Sequence, residues 1–286
     1  MESVQSKFVK HKLPCPKCGG SDPVSLNEDG SAHCFSCNTH FSNYDNAEEG
    51  KIVDIDNKPK NTFLDSYTGV FGPLNDRNIS KETARKFGVR RVNNPDGSIK
   101  EHIYPYFNGN EVVGTKTRYI SNKGFITSGT YEGTGLFGEQ LFRNTGGKYL
   151  TITEGECDAM AAYELMQSKW ACVSLKRGAA GAVKDIRESI EFVESFDNVV
   201  LCFDNDKAGR EAARNVARIL KPGKAKIMTF PNGYKDANDM LRQKKFHDFM
   251  SSWWEAKTYT PSGIMELSSK KSDWLHREEK ESIAYP

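Results

Sequence analysis

The sequence has no long apolar run, since no stretch approaches the roughly 18 apolar residues that a membrane-spanning helix needs. The first 16 residues, MESVQSKFVKHKLPCP, also lack the apolar segment of a secretory signal peptide. A Walker A loop is missing, and no internal repeat is present. We therefore expect a chain with no membrane partner, no P-loop nucleotide site and a cytoplasmic location.

The small net charge of +2 hides an uneven distribution. Residues 1–50 contain four lysines against seven acidic residues, whereas the segment from Arg77 to Arg91 has six basic residues and one acid, Glu82. Such basic clustering is typical of a nucleic-acid contact. A solvated helix face is the other interpretation, and the sequence leaves both open.

Cysteines are few, and four of the seven form two Cys-x-x-Cys pairs near the N-terminus, Cys15/Cys18 and Cys34/Cys37. The 15 residues between the pairs are a spacing typical of a zinc ribbon, in which four thiolates surround one structural Zn²⁺. A redox site would need a βαβ setting that is missing here. Four cysteines also make His33 or His40 unnecessary as ligands. The other three cysteines stand alone in apolar surroundings and are predicted to be buried thiols.

The remaining pattern predicts the domain organisation. A ribbon at 1–45 precedes a polar, flexible linker at 46–62. Residues 63–148 form a basic, mixed α+β region, with a helix from Ser80 to Gly88 and a hairpin turn at Asn108-Gly109. From 149 to 256 strands alternate with helices, which predicts an α/β domain with a mostly parallel sheet. The strands are expected at 149–153, 170–175, 198–203 and 225–230, and helices at 183–194 and 239–255. A polar tail occupies 257–286.

Acidic residues follow three of these strands. Glu154 directly follows YLTIT, and Glu156 and Asp158 come soon after it. Asp204 and Asp206 follow NVVLCF, and Asp236 lies in the loop after the fourth strand. Because ligands of open α/β sheets bind at the carboxyl ends of the strands, we expect a Mg²⁺ site formed by Glu154, Asp204, Asp206 and Asp236. Asp204 and Asp206 as simple helix N-caps are the alternative.

The segments TEGECDAM and FDNDKAGREAA, on an alternating β/α frame, resemble the toprim fold of primases, topoisomerases, some nucleases and recombination mediators. The resemblance implies that Glu154 acts in acid/base chemistry or metal binding and that Asp204 and Asp206 bind Mg²⁺, with Mn²⁺ able to substitute. It covers about residues 149–240.

The whole arrangement, a four-cysteine ribbon, a linker, a basic region and a toprim domain, resembles the primase half of the T7-type phage primase–helicases. The resemblance implies contacts of Arg77, Lys116, Arg118 and Lys123 with nucleotide or template. It also implies template reading by the ribbon turn, with Asp29 fitting the family. The family's histidine two residues later is Ser31 here, and His33 is shifted toward Cys34, which leaves the template sequence open.

The expected function is therefore a DNA primase that makes short RNA primers from ribonucleoside triphosphates on single-stranded DNA. Two metal ions can activate the attacking 3′-hydroxyl and stabilise the leaving pyrophosphate. The resemblance implies a replicative helicase domain and a replicative DNA polymerase as partners, in a phage-infected bacterial cell. Two alternatives remain open: a toprim topoisomerase or nuclease, and a non-catalytic, recombination-type DNA-binding module.

Overall fold

A computed structural model describes residues 8–17, 19–36, 39–41, 43–44, 67–143 and 146–261. The chain forms two compact units, residues 1–65 and 66–286. The predicted linker, Cys18, Cys37 and the tail beyond residue 261 lie outside the described residues. Within the described ranges, no helix combines the length and the apolar character that crossing a membrane requires.

The first unit contains a four-stranded antiparallel sheet, which we call the ribbon. Its strands follow one another in chain order: β1 Phe8–Leu13, β2 Val24–Asn27, β3 Ala32–Cys34 and β4 Thr39–Phe41. The buried apolar side chains of this sheet are few, namely Cys15, Val24, Ala32, Cys34 and Phe41. Such a small core needs additional support to fold.

The second unit begins with an antiparallel sheet, the central sheet, which contains the predicted hairpin. Its strands are β5 Arg90–Asn93, β6 Ile99–Asn108, β7 Glu111–Tyr119 and β8 Phe125–Gly129. The turn lies one residue later than predicted, because Asn108 pairs with Glu111 and leaves Gly109 and Asn110 as the turn residues. Gly109 has a φ of 61°, so the glycine supplies the left-handed conformation that the turn requires.

The helix predicted from Ser80 to Gly88 is confirmed as α1, Lys81–Lys86. The Ser80 hydroxyl accepts a hydrogen bond from the Thr83 amide at 3.1 Å, and Gly88 follows with a φ of 76°. This helix exposes Lys81, Arg85 and Lys86, whereas the Arg90 guanidinium lies over the Tyr67 ring at 4.1 Å. The basic cluster is therefore partly a solvated helix face and partly structural.

The expected α/β frame follows, with a sheet in the order β10–β9–β11–β12–β13. We call it the parallel sheet, because only its edge strand β13 runs antiparallel. Its strands are β9 Gly147–Thr153, β10 Ala171–Ser174, β11 Phe196–Cys202, β12 Ala225–Ile227 and β13 Lys257–Thr258. Leu150 to Thr153 are all fully buried, as expected for a strand covered on both faces.

Helices alternate with these strands: α2 Glu156–Leu165, α3 Gly178–Glu188, α4 Ile190–Glu194, α5 Lys207–Ala217, α6 Ala237–Arg242 and α7 Phe246–Trp254. Two predictions were wrong in detail. The helix expected at 183–194 begins at Gly178 and is broken at Ser189, whose hydroxyl donates to Glu139 at 2.7 Å. The helix expected at 239–255 is two helices, separated where Lys244 adopts a φ of 56°.

The central sheet packs directly on the first turn of α2. His102, Tyr104 and Tyr106 alternate along one buried face of β6. The Tyr106 hydroxyl donates to Glu156 Oε1 at 2.7 Å, and the Tyr104 hydroxyl lies 3.2 Å from the Cys157 Sγ. The residues that follow Glu154 are thereby held against β6, which pairs with β7, the strand that carries Lys116 and Arg118.

Candidate active site

Carboxylates converge at the carboxyl ends of β9 and β11, in a cluster that we call the acid edge. Oxygens of Asp158, Asp204 and Asp236 lie within 4.8 Å of one another. Asp158 comes from the first turn of α2, Asp204 follows β11, and Asp236 begins α6. Because the neighbouring strands are parallel, their ends bring residues that are far apart in sequence to one place.

Glu154 belongs to the acid edge through a hydrogen bond: its Oε1 accepts from the Asp204 amide at 3.0 Å. Gly209 lies against the same atoms, since a Cβ there would come within 2.2 Å of the Asp204 carbonyl oxygen and 2.5 Å of Glu154 Oε1. Only glycine lets α5 approach Glu154 and Asp204 this closely.

Two of the predicted acids do cap helices. Asp206 Oδ1 accepts from the Gly209 amide at 2.9 Å, and Asp236 Oδ1 accepts from the Asp239 amide at 2.8 Å. Glu154 and Asp204 cap no helix, because Gly155 and Asp206 hold those positions. The N-cap interpretation therefore accounts for Asp206 but leaves Asp204 without a structural role of that kind.

Crowding of like charge changes the protonation of these acids. Burial, with the charges of Asp204 and Asp206, raises the pKa of Glu154 to about 7. Burial and the neighbouring charges of Asp236 and Asp204 hold the pKa of Asp158 well above its usual range, and burial also raises the pKa of Asp236. A site that disfavours its own carboxylate charges in this way gains from a bound cation.

Lys235 is the ammonium group nearest to Asp204, with its Nζ 2.8 Å from Asp204 Oδ2. This contact raises the pKa of Lys235. The lysine is more than half exposed, so it is free to move when a cation or a phosphate approaches.

Arg77, a predicted nucleotide or template contact, lies beside the acid edge. Asn238 connects Arg77 to the acids. Its backbone amide donates to Asp158 Oδ1 at 3.1 Å, and its side-chain Nδ2 donates to the Arg77 carbonyl at 2.8 Å. The Arg77 guanidinium in turn donates to Asn238 Oδ1 at 3.4 Å. Asn238 itself is 2% exposed, so its side chain is held in place between Arg77 and the acid edge.

The predicted basic residues of β7 are held differently from one another. Lys116 Nζ donates to Glu156 Oε1 at 2.8 Å and also lies 4.9 Å from the centre of the Phe125 ring. The Arg118 guanidinium lies over the same ring at 5.3 Å, and among the described residues its buried Nε has no hydrogen-bond partner. Lys123 is exposed in the turn between β7 and β8, with a φ of 58°.

In the ribbon, the predicted template-reading residues form a tight turn. Asp29 Oδ1 accepts from both the Ser31 amide, at 3.0 Å, and the Ser31 hydroxyl, at 2.6 Å. These bonds lower the pKa of Asp29. Ser31 is buried and also receives a hydrogen bond from Asn27, whereas His33 is partly exposed and packs edge-on against Phe35. Ser31 thus shapes the turn, and His33 contributes to its surface.

The sequence analysis did not select Asp158, Lys235 or Asn238 as site residues. Asp158 lies four residues after Glu154, a spacing that places both near the start of α2, and this signal was available. The pairing of Asn238 with Asp158 joins residues 80 positions apart and depends on how α6 packs against α2.

Comparison with known proteins agrees with this geometry. A family model described as Toprim-like matches residues 151–241, which contain the whole acid edge. The DNA helicase/primase of Enterobacteria phage T3 is 32% identical over 281 residues, 95% of this chain and 48% of that protein. The chain therefore spans about half the length of this curated relative.

Two solved structures of bacteriophage T7 proteins are similar. The primase fragment of the T7 primase–helicase is 33% identical, with a TM-score of 0.59 over 87% of this chain and 100% of that chain. Primase domains bound to an RNA/DNA hybrid and dTTP, in a complex with the T7 lagging-strand DNA polymerase, are 34% identical. Their TM-score is also 0.59, over 67% of this chain and 94% of that one.

The expected toprim fold is thereby confirmed, and the similarity to the T7 fragment extends beyond the toprim domain. The chain belongs to the family formed by the primase parts of the T7- and T3-type phage primase–helicases.

Proposed function

We propose that this chain is a DNA primase, which joins ribonucleoside triphosphates into short RNA primers on a single-stranded DNA template. The observation that carries the proposal is the acid edge, where Asp158, Asp204 and Asp236 converge next to Glu154 and within reach of Arg77. Acids from separate strand ends, faced by cations, are what the transfer of a nucleotidyl group requires.

The acid edge fits Mg²⁺. Its donors are carboxylate oxygens, the ligands that Mg²⁺ prefers. Burial, and after it the like charge of neighbouring acids, raises the pKa of Asp158 and of Asp236, and a divalent cation would relieve that repulsion. Asp158, Asp204 and Asp236 would hold the ion, with Glu154 and Asp206 beside them. When bound, one or two Mg²⁺ ions supply Lewis-acid activation of the attacking hydroxyl and stabilisation of the leaving group.

The chain's own residues have separate roles in this reaction. Glu154, which lies at the acid edge with its Oε1 3.0 Å from the Asp204 amide, would accept the proton of the attacking 3′-hydroxyl. Arg77, Lys116, Arg118 and Lys123 neutralise the triphosphate or bind the template backbone. Lys235, whose Nζ lies 2.8 Å from Asp204 Oδ2, would contact a phosphate of the nucleotide at the acid edge.

The ribbon fits a structural zinc ion. Cys15 and Cys34 are buried in a core that has five apolar side chains in the described part of the ribbon. The chain turns back on itself after Cys15, where the Gly19 amide donates to the Cys15 carbonyl at 2.9 Å. With Cys18 and Cys37, which lie outside the described residues, Cys15 and Cys34 would complete a four-thiolate donor set. Asp29 and Ser31 in the turn before β3, and His33 in β3, would read the template.

The relatives support the proposed partners. The T3 protein is named a helicase/primase, and the T7 primase domains are seen with the lagging-strand polymerase. We therefore assign this chain a replicative helicase, in the same polypeptide or a neighbouring one, and a replicative DNA polymerase. Such a protein acts in the cytoplasm of the phage-infected bacterium.

A priming assay tests the proposal. The chain is incubated with labelled ribonucleoside triphosphates, Mg²⁺ and an oligonucleotide library, and the products are sequenced. Oligoribonucleotides complementary to a recurring template sequence are expected. Their absence from every template, or nicking and relaxation of a supercoiled plasmid instead, would refute the primase assignment in favour of a topoisomerase or nuclease.

A further inference from the structure

One face of the central sheet carries two cations and an aromatic ring side by side. Arg118 on β7 pairs with Phe125 on β8, and Lys116 on β7 pairs with Tyr104 on β6. Residues two apart on a strand share a face, and so do residues directly opposite each other on neighbouring strands. Lys116, Arg118 and Phe125 therefore share the face of Tyr104, which is the face that packs on α2 through Cys157.

This face is covered at β6 and open at β8. Tyr104 is 1% exposed, the Lys116 side chain is 16% exposed, and Phe125 is 47% exposed. Phe125 thus lies at the open border of the face, with the two cations between its ring and the buried tyrosines. The ring does not belong to the continuous core of the second unit. Core packing therefore does not account for a phenylalanine at this position.

Both cations lie against the Phe125 ring. The Lys116 Nζ is 4.9 Å from the centre of the ring, and the central carbon of the Arg118 guanidinium is 5.3 Å from it. A cation within about 6 Å of a ring is attracted by the negative charge of the ring's face. Without this attraction, two neighbouring positive charges repel each other, and long side chains adopt many rotamers. The ring therefore restricts the positions of both cations.

The other contacts of these cations point toward the acid edge. The Lys116 Nζ donates to Glu156 Oε1 at 2.8 Å and to the Lys176 carbonyl at 3.2 Å. Glu156 belongs to the same first turn of α2 as Asp158, one of the acids of the acid edge. Arg118 has a donor to spare, because its buried Nε has no hydrogen-bond partner among the described residues. Since an unpaired buried donor is costly, the Arg118 guanidinium gains from an anion beside it.

We propose that Phe125 is a positioning residue, whose ring holds the Lys116 and Arg118 cations in place for the triphosphate of the incoming ribonucleotide. The triphosphate fits better than the template backbone, because Glu156 connects Lys116 to the helix turn that supplies Asp158. Cations that are already ordered lose less conformational entropy when the triphosphate binds, so the ring acts on nucleotide affinity. This inference rests on the proposed function and deepens it.

The test separates the ring from its apolar bulk in the full chain. Phe125→Leu removes the ring and should raise the KM for ribonucleoside triphosphates about fivefold, with kcat within about twofold of the unaltered chain. Phe125→Tyr keeps a ring and should restore the original KM. Ile126→Ala is the matched control, because Ile126 is 55% exposed and lies next to Phe125 on the opposite face of β8. The melting temperature of each variant verifies that the second unit is folded.

A double-mutant cycle shows whether the ring acts through the cations. In a chain that already carries Lys116→Met, Phe125→Leu should raise the KM only about twofold, because Arg118 alone still depends on the ring. An undiminished fivefold effect in that background would overturn the positioning role, since the ring would then contact the nucleotide itself. An unchanged KM in Phe125→Leu would overturn it too, as would a Phe125→Tyr chain that behaves like Phe125→Leu.

Equilibrium binding makes the test independent of primer synthesis. The affinity of each variant for a fluorescent ATP analogue is measured by anisotropy with Mg²⁺ and without template, and Phe125→Leu should lower it by the factor by which the KM rises. Primer synthesis by the unaltered chain is measured separately. Nucleotide affinity that depends on Phe125 in a chain that makes no primers would refute the primase assignment alone. Primers made with an affinity and a KM that do not depend on Phe125 would refute the positioning role alone.

Discussion

The ribbon and the second unit differ in how much apolar side chain each one buries. Among its described residues, the ribbon core has five buried apolar side chains, of which two are cysteines. The second unit has one continuous core that includes residues from α1, the central sheet and every strand of the parallel sheet from β9 to β12. A core as small as that of the ribbon supplies too little stability by itself, whereas a core as large as that of the second unit does not need a metal ion to fold.

The cysteines of the two units also differ. In the second unit Cys157, Cys172 and Cys202 are buried alone, as the sequence analysis predicted, and burial raises the pKa of each thiol, that of Cys157 to about 12. They act as small apolar side chains. For the ribbon, we propose instead that its paired cysteines are zinc ligands. In this chain one ion would therefore serve structure in the ribbon, and other ions would serve chemistry at the acid edge.

The largest expected effect comes from Asp204→Asn, which should abolish chemistry without unfolding the second unit. Loss of a metal-binding carboxylate is expected to reduce primer extension at least about 10³-fold. The melting temperature in the absence of metal should not fall, because a negative charge leaves a crowded site. Asp197→Asn, an exposed acid at the other end of β11, is the control. A stable Asp204→Asn chain that retains a tenth of the activity would remove Asp204 from the site.

Cys34→Ser tests the ribbon, the unit with the small core. The ribbon should lose its zinc and unfold, because its core is too small without the ion. Template-directed initiation should disappear, while extension of a supplied dinucleotide continues on the second unit. Cys172→Ser, which changes a buried thiol of the second unit, should leave the zinc content unchanged. Equal loss of initiation and extension in Cys34→Ser would mean that the ribbon contributes to catalysis itself.

Asn238→Ala is expected to have an intermediate effect on the acid edge. It removes the hydrogen bonds that connect α6 to Arg77, and substitutions behind a metal site typically weaken metal binding 10- to 100-fold. The Mg²⁺ concentration for half-maximal extension should rise about tenfold. Asn198→Ala is the control, since Asn198 also donates to one backbone carbonyl, that of Lys148, at the opposite end of the sheet. An unchanged Mg²⁺ requirement would show that Asn238 does not position the acids.

The order of strands and acids could be predicted from the sequence because it depends on local patterns. Apolar, β-branched runs such as YLTIT and NVVLCF are buried strands, and acids directly after them must lie at one end of a parallel sheet. Likewise, Ser80 and Gly88 carry the chemistry of helix caps in their own side chains and backbone. Both kinds of signal can be recognised in the sequence without knowledge of the tertiary structure.

The parts that were missed depend on contacts between distant residues. The helix α3 begins early, at Gly178, because Asp185 accepts the Lys176 and Arg177 amides and fixes the preceding loop. The Gly- and Ala-rich sequence at the start of this helix does not by itself predict that the helix begins there. Similarly, Asp158 looks like an ordinary acid in the first turn of a helix, and only the packing of α6 against α2 brings Asp236 next to it.

The smallest effect concerns the stability of the acid edge as the pH changes. Because burial and neighbouring acids raise the pKa of Glu154 to about 7, from about 4.5 in the unfolded chain, ionising it costs stability as the pH rises from 4.5 through 7. In metal-free buffer, Glu154→Gln should therefore be more stable than the unaltered chain at pH 8, by about 1 kcal/mol after solvent screening, and equally stable near pH 4.5. Urea denaturation at the two pH values measures the difference. Glu211→Gln, which changes an exposed acid of α5, should show no such trend, and a Glu154→Gln advantage that is constant with pH would contradict the raised pKa.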